Sequence, residues 1–231
     1  ALYDFFAEEL FGSVEPLVQR SMLQLAAAGD SSIEIARDLI GASLDDVLQS
    51  ATARGFLTHE PNGTLVMHPL LREFFLTRLG ELGQSQVESV VRPIVHRLNE
   101  EQHWDDCLTL LKRFPDTDLI PATMSAAMSN LLESGRTATI QQWLELAQRE
   151  QIDHPVVLLA EAEVALCEGK NDNAQAFALR AAGSLASKDL AAEAYLTAAR
   201  AAHLGDDLVA AARPAERAES LGAKTRVRNE A

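Results

Sequence analysis

The sequence predicts a mainly α-helical chain in two parts: short helices closed by a β-hairpin, then helices alone. Three observations carry that expectation. Apolar residues recur at helical spacing almost throughout the 231 residues. The period breaks only around Asn62-Gly63, where two short strand-like runs flank a strong hairpin turn signal. Late in the chain, turn glycines return at nearly constant intervals.

Taken in order, Leu2, Phe5, Phe6, Leu10 and Phe11 mark a first helix, and Leu17, Val18, Met22, Leu23 and Leu25 a second that stops near Gly29. Ser31 and Ser32 can cap a third helix carrying Ile33, Ile35, Ala36, Leu39 and Ile40, ended by Gly41. Ser43 opens a fourth, with Asp45 and Asp46 in the first turn where the helix dipole favours acids, running to Arg54 and Gly55. Phe56-Leu57-Thr58 and Leu65-Val66-Met67 then read as two strands. His68 follows. Pro69 occupies a first-turn position where its missing N–H costs nothing, and Leu70, Leu71, Phe74, Phe75, Leu79 and Leu82 form a broad apolar helix face. Helices, a hairpin and a further helix make a winged-helix topology over residues 1–83.

From residue 84 to 231 only helices are expected. One holds Val87, Val90, Val91, Ile94, Val95 and Leu98, and a short one holds Cys107, Leu108, Leu110 and Leu111, ending at Phe114-Pro115. Three pairs follow, Ile120–Leu132 with Ile140–Ala147, Val156–Leu166 with Ala174–Leu185, and Leu190–Leu204 with Leu208–Leu221, each joined by a glycine turn. Gly135, Gly169 and Gly205 lie 34 and 36 residues apart. The tetratricopeptide period is about 34, and alanine-rich second helices suit the close approach of paired axes. The expectation is a tetratricopeptide-like superhelix, with the usual tyrosine and proline positions mostly missing.

Composition narrows the function. Hydrophobic residues make up 47%, enough for a buried core, and aromatics only 5%. The net charge of −14 repels phosphate backbones. The fourth helix sits where a winged-helix protein places its DNA reader, yet it offers Asp45, Asp46, Gln49 and Arg54. Residues 1–82 carry five arginines, no lysine and twelve acids, so DNA binding by this region is disfavoured. Cys107 and Cys167 make neither a disulfide framework nor a zinc cluster and read as small core residues. Trp104 and Trp143 read as packing residues. No apolar run approaches the roughly 18 residues of a membrane span. No signal peptide is visible, and a reducing cytoplasm is the expected compartment. His96, Glu100 and His103 share a helix face at i, i+4 and i+7, a spacing compatible with a metal but more often a solvated stripe. No catalytic set is visible, so this chain is expected not to be an enzyme.

His68 has two readings. It can be a polar residue hydrogen-bonding the backbone at a helix start. Alternatively, an imidazole at a helix mouth, beside free N–H groups and the positive end of the dipole, suits a phosphate oxygen.

The order of elements and the segments "LYDFFAEELF" and "GFLTHEPNGTLVMHPLLREFF" resemble the winged-helix region of signal transduction ATPases with numerous domains (STAND), most closely the MalT-like, LuxR-family transcriptional regulators. Met67-His68 resembles the start of the Met-His-Asp motif of related nucleotide switches, whose histidine touches the ADP phosphate at rest. Pro69 replaces the aspartate, whose role does not carry over. The resemblance implies a regulatory fragment, with ATP or ADP and Mg²⁺ held by an upstream nucleotide-binding domain in the full-length protein. No phosphate-binding Gly-x-x-x-x-Gly-Lys-Ser/Thr loop lies within this chain, and no cofactor is expected in the fragment itself. The implied partners are that upstream domain, a small-molecule inducer or protein on the helical repeats, and further copies through self-association. Two other readings remain open: a DNA-binding winged-helix regulator with a helical ligand domain, and a constitutive tetratricopeptide-like scaffold.

Overall fold

The structure, a computed structural model, describes residues 8–222 apart from residues 10, 30 and 62. The first expected helix, around Leu2 to Phe11, lies mostly outside the described residues. Compactness divides the chain into two units, Ala1–Asp116 and Thr117–Ala231. The division therefore falls two helices later than the expected boundary at residue 83.

In the first unit α1 (Pro16–Ala28) starts at a proline and stops at Gly29, whose φ of +83° ends the helix in a conformation glycine tolerates. The chain then enters β1 (Ser31–Ser32) and α2 (Ile33–Ile40). A single 3₁₀ turn over Gly41–Ser43 leads into α3 (Leu44–Ala53). Ser43 makes no side-chain cap, contrary to its expected role. The hairpin strands β2 (Leu57–His59) and β3 (Thr64–Met67) pair antiparallel with Leu57 opposite Met67. Sequence reasoning missed the third strand. Ser31 and Ser32, read as helix caps, pair with Leu65 and Thr64, so β3 is central in the order β1-β3-β2. Both β3 side chains that face inward, Leu65 and Met67, are buried, as the strand's two-residue period requires.

Helix α4 (Pro69–Gly80) follows β3 and buries Phe75 and Leu79 completely. Phe75 sits among Phe11, Phe56 and Phe74 with ring centroids 5.4 to 5.6 Å apart, in tilted and edge-on arrangements that suit the ring quadrupoles. Next come α5 (Gln84–Glu100), which packs on α1 and buries Val90, Val91, Ile94, Val95 and Leu98, and α6 (Trp104–Arg113), which packs on α5 and buries Cys107, Leu108 and Leu111. Arg113 grips Glu73 of α4 with both guanidinium nitrogens at 2.7 and 2.8 Å. Arg97 reaches Asp38 of α2 at 3.2 Å, and Arg92 reaches the buried Asp116 at 2.8 Å.

The second unit is a set of helical hairpins: α7 (Leu119–Glu133) with α8 (Thr137–Arg149), α9 (Pro155–Cys167) with α10 (Asn171–Ser184), and α11 (Lys188–Leu204) with α12 (Leu208–Ser220). The first helices of the pairs, α7, α9 and α11, pack on one another. Alanines fill the contacts: Ala162 and Ala178 meet Ala198, and Ala165 and Ala174 meet Ala201. Trp143 is fully buried, as expected of a packing residue.

The hairpin turns have one repeated geometry. A left-handed residue recurs at Gln102, Gly135, Gly169 and Asp206. In each case the next N–H closes back on the carbonyl five residues earlier at 2.9 Å: His103 on Leu98, Arg136 on Leu131, Lys170 on Ala165 and Asp207 on Ala202. This is the Schellman helix end. Two of these turns depart from the glycine rule. Gly205 is not left-handed, having φ −87°, and Asp206 takes that place. Gln102 gives α5 and α6 the same turn without any glycine, so the repeated unit begins one hairpin earlier than the glycines indicate.

Candidate functional site

His68 lies between β3 and α4, at the point where the extended strand turns into the helix. Its backbone is extended, φ −56° and ψ 132°, and its Nδ1 accepts a hydrogen bond from the Leu70 N–H at 3.2 Å. Pro69 has no N–H to satisfy, so proline and imidazole together deal with two of the unpaired donors that open every helix. With Nδ1 accepting, the neutral ring carries its proton on Nε2. The residue is exposed, which leaves that second nitrogen available to an incoming acceptor.

Two further α4 residues shape the ground beside it. Arg72 donates from Nε to the Ala26 carbonyl at 3.0 Å, placing a cation at the negative C-terminal end of α1. A Cβ on Gly29 would stand 2.9 Å from the Arg72 Nη2 and push that guanidinium aside, while the positive φ is what calls for glycine there. Glu73 holds Arg113 and accepts from Thr77 at the edge of hydrogen-bonding range. The hydrogen bond from Arg113 lowers the Glu73 carboxyl below the usual carboxylate range. A cleft of about 580 Å³ opens here, lined by Met67, Pro69, Arg72, Glu73 and Arg113 among others. Both arginines are engaged within the protein.

The helix-mouth histidine is not unique. His154 precedes Pro155 at the start of α9, and its Nδ1 accepts from the Val156 N–H at the same 3.2 Å. The pair of His-Pro dipeptides could have been noticed in the sequence. It shows that the backbone alone gives this histidine a local role.

The other expected groupings resolve differently. His96, Glu100 and His103 are not brought together as one face, because α5 ends at Glu100 and the left-handed Gln102 turns the chain before His103. His96 pairs with Glu100 at 3.5 Å, while His103 lies 3.3 Å from Asp106 of α6. Of the two cysteines, Cys107 is a core residue and burial pushes its thiol up to about 12. Cys167, expected in the core, is exposed at the last residue of α9. On α3 the outward residues include Asp45, Asp46 and Gln49, an acidic face. No helix among the described residues is long and apolar enough to cross a membrane.

No protein-family profile and no curated protein matches this sequence. A solved structure similar in fold is that of a signal transduction ATPase with numerous domains (STAND) with a tetratricopeptide repeat sensor, from Pyrococcus horikoshii. The TM-score is 0.69 at 15% identity, over 96% of this chain and 34% of that one. The chain thus spans about a third of that protein's length. The likeness is one of fold: a mainly helical, tetratricopeptide-like arrangement runs through both.

Proposed function

We propose that this chain is the regulatory part of a signal-responsive STAND-type transcriptional regulator of the MalT-like kind. In this reading residues 1–83 form a winged helix that packs on an upstream nucleotide-binding domain and holds it in the ADP state. The helical repeats of residues 84–231 receive an inducer or a protein partner. The observation that carries it is the exposed His68 at an open helix mouth, with Nδ1 spent on the cap and Nε2 left over, in a chain whose fold matches a STAND protein with a repeat sensor. Nucleotide and Mg²⁺ would belong to the upstream domain. The fragment itself would neither bind nor hydrolyse ATP, and it would work in the cytoplasm. Inducer binding would shift the switch only through unequal affinity for its two states, the second being ATP-bound and self-associating.

The test uses the longer protein carrying the upstream domain. His68→Asp keeps an acceptor for the Leu70 N–H but places a negative charge where a phosphate would lie. The expected outcome is loss of co-purifying ADP from a protein that stays folded, its melting temperature lowered to that of the ADP-stripped parent. ADP retention equal to the parent protein would sink the phosphate role of His68. The acidic outer face of α3 supports this reading over DNA binding. A constitutive scaffold is favoured by one observation, the twin cap at His154, and predicts no change in nucleotide state for any His68 variant.

A further inference from the structure

A second cleft, of about 940 Å³, lies in the helical-hairpin unit between α10 and α12, with Tyr195 of α11 also in its lining. Its wall on α12 carries Val209, Arg213 and Arg217 one turn apart, and its wall on α10 carries Leu179. Two apolar residues of the lining are open to solvent, Val209 at 88% exposed and Leu179 at 41%. Neither Arg213 nor Arg217 has an ion-pair partner among the described residues, and Glu216 is the one acid in the lining.

That combination contrasts with the cleft beside His68, whose arginines are spent on Ala26 and Glu73. It also contrasts with the preceding hairpin. Counting from the left-handed turn residue, Leu179 corresponds to Glu145, Val209 to Asp172, Arg213 to Ala176 and Arg217 to Arg180. The repeat geometry is shared, and an arginine stands at the Arg217 position in both hairpins, but the other three earlier positions carry two acids and an alanine where this cleft carries leucine, valine and a second arginine. A repeat scaffold does not require the change.

We propose that this cleft is a binding site for a small amphipathic carboxylate, with Arg213 and Arg217 taking the carboxylate and Leu179, Val209 and Tyr195 taking the apolar body. Two guanidinium groups one helical turn apart can share a carboxylate through charge-assisted hydrogen bonds. The chain's net charge of −14 selects a small monoanion over an acidic polypeptide, because long-range repulsion grows with the charge of the visitor. The proposal rests on the sensor reading of the repeats and gives it a ligand class.

Titration calorimetry of the 231-residue chain with decanoate, below its micelle concentration, tests it. Decanoate binds, decanol binds about tenfold or more weakly, and decylammonium does not bind. The double variant Arg213→Ala/Arg217→Ala loses about tenfold or more in affinity. Arg180→Ala, an exposed arginine of α10 outside the lining, stays within about twofold, and each single alanine variant, Arg213→Ala or Arg217→Ala, which removes the same one charge, loses more. The double variant Arg213→Glu/Arg217→Glu reverses the preference toward decylammonium. Equal binding of decanol, undiminished binding in the double alanine variant, no binding of decanoate, or binding only of an acidic peptide each overturns the proposal. Decanoate binding here without effect on nucleotide state in the longer protein would instead overturn the sensor reading and leave the site standing.

Discussion

His68-Pro69 and His154-Pro155 open α4 and α9 with the same backbone device, and the two helices then part ways. Each imidazole accepts from the second following N–H at 3.2 Å, and each proline removes a donor. Beyond that turn α9 is packed on most sides, burying eight residues, whereas α4 buries two. His154 is half-buried and His68 exposed; Leu70, at the mouth of α4, is 55% exposed. The cap explains both histidines, so the dipeptide by itself argues for no ligand. Exposure separates them: His68 is exposed, whereas His154 is half-buried.

The contrast sharpens at the fifth residue after each histidine. In α9 that residue is Leu159, fully buried, and in α4 it is Glu73, paired across to α6. Leu159→Ala is expected to cost about 2–5 kcal/mol, the transfer term plus the cavity left in a close-packed interface. Chemical denaturation followed by hydrogen exchange would read it. Amide protection should fall along α9 and its partners α8 and α10, and stay unchanged along α4. A loss below about 1 kcal/mol would mean that α9 is held by its alanine contacts alone and that the leucine is not an anchor.

Next in size are the caps. His154→Ala and His68→Ala should each cost about 1 kcal/mol, and the asparagine substitutions should restore most of it, since asparagine is among the best acceptors at that position. Both are read as shifts in the denaturation midpoint at constant slope. Equal losses for alanine and asparagine at residue 68 would show that the Nδ1 contact is not what holds the mouth of α4. In that case the histidine would owe its place to something outside this chain.

Much of this was legible beforehand, for identifiable reasons. The hairpin announced itself through Asn62-Gly63, and the start of α4 through Pro69, because such residues restrict the backbone locally. The helix ends at Gly29, Gly41, Gly135 and Gly169 were readable for the same reason. What escaped were conformations imposed from a distance. Ser31-Ser32 is a strand because β3 offers an edge to pair with, not because serine favours one. Gln102 and Asp206 adopt left-handed backbones because the helices on either side must meet. The extent of the first unit was hidden too, since it depends on α5 packing back on α1, a contact between segments far apart in the chain. At the candidate site, residue identity pointed to His68, but only exposure distinguishes it from His154.

The smallest effect belongs to Glu73 itself. Its carboxyl titrates below the usual range because Arg113 donates to the ionised form, with desolvation opposing and Thr77 adding a little. A lowered folded-state value means that the pair stabilises the protein above the ordinary carboxylate range, at neutral pH included. The contribution is lost as pH falls through the folded-state value. The Glu73 side chain is 63% exposed, so solvent screens the pair and only a few tenths of a kcal/mol is expected. Glu73→Gln should therefore leave neutral stability nearly unchanged and flatten the acid side of the profile. Added salt should mimic it in the parent protein and do nothing further in the variant. The corresponding residue in α9 has no charge to titrate, so Leu159 variants should show the parent's acid profile displaced downward without a change of shape. A Glu73→Gln loss approaching that of Leu159→Ala would show that the α4–α6 contact is a buried anchor like the one in α9, and the distinction between the two helices would collapse.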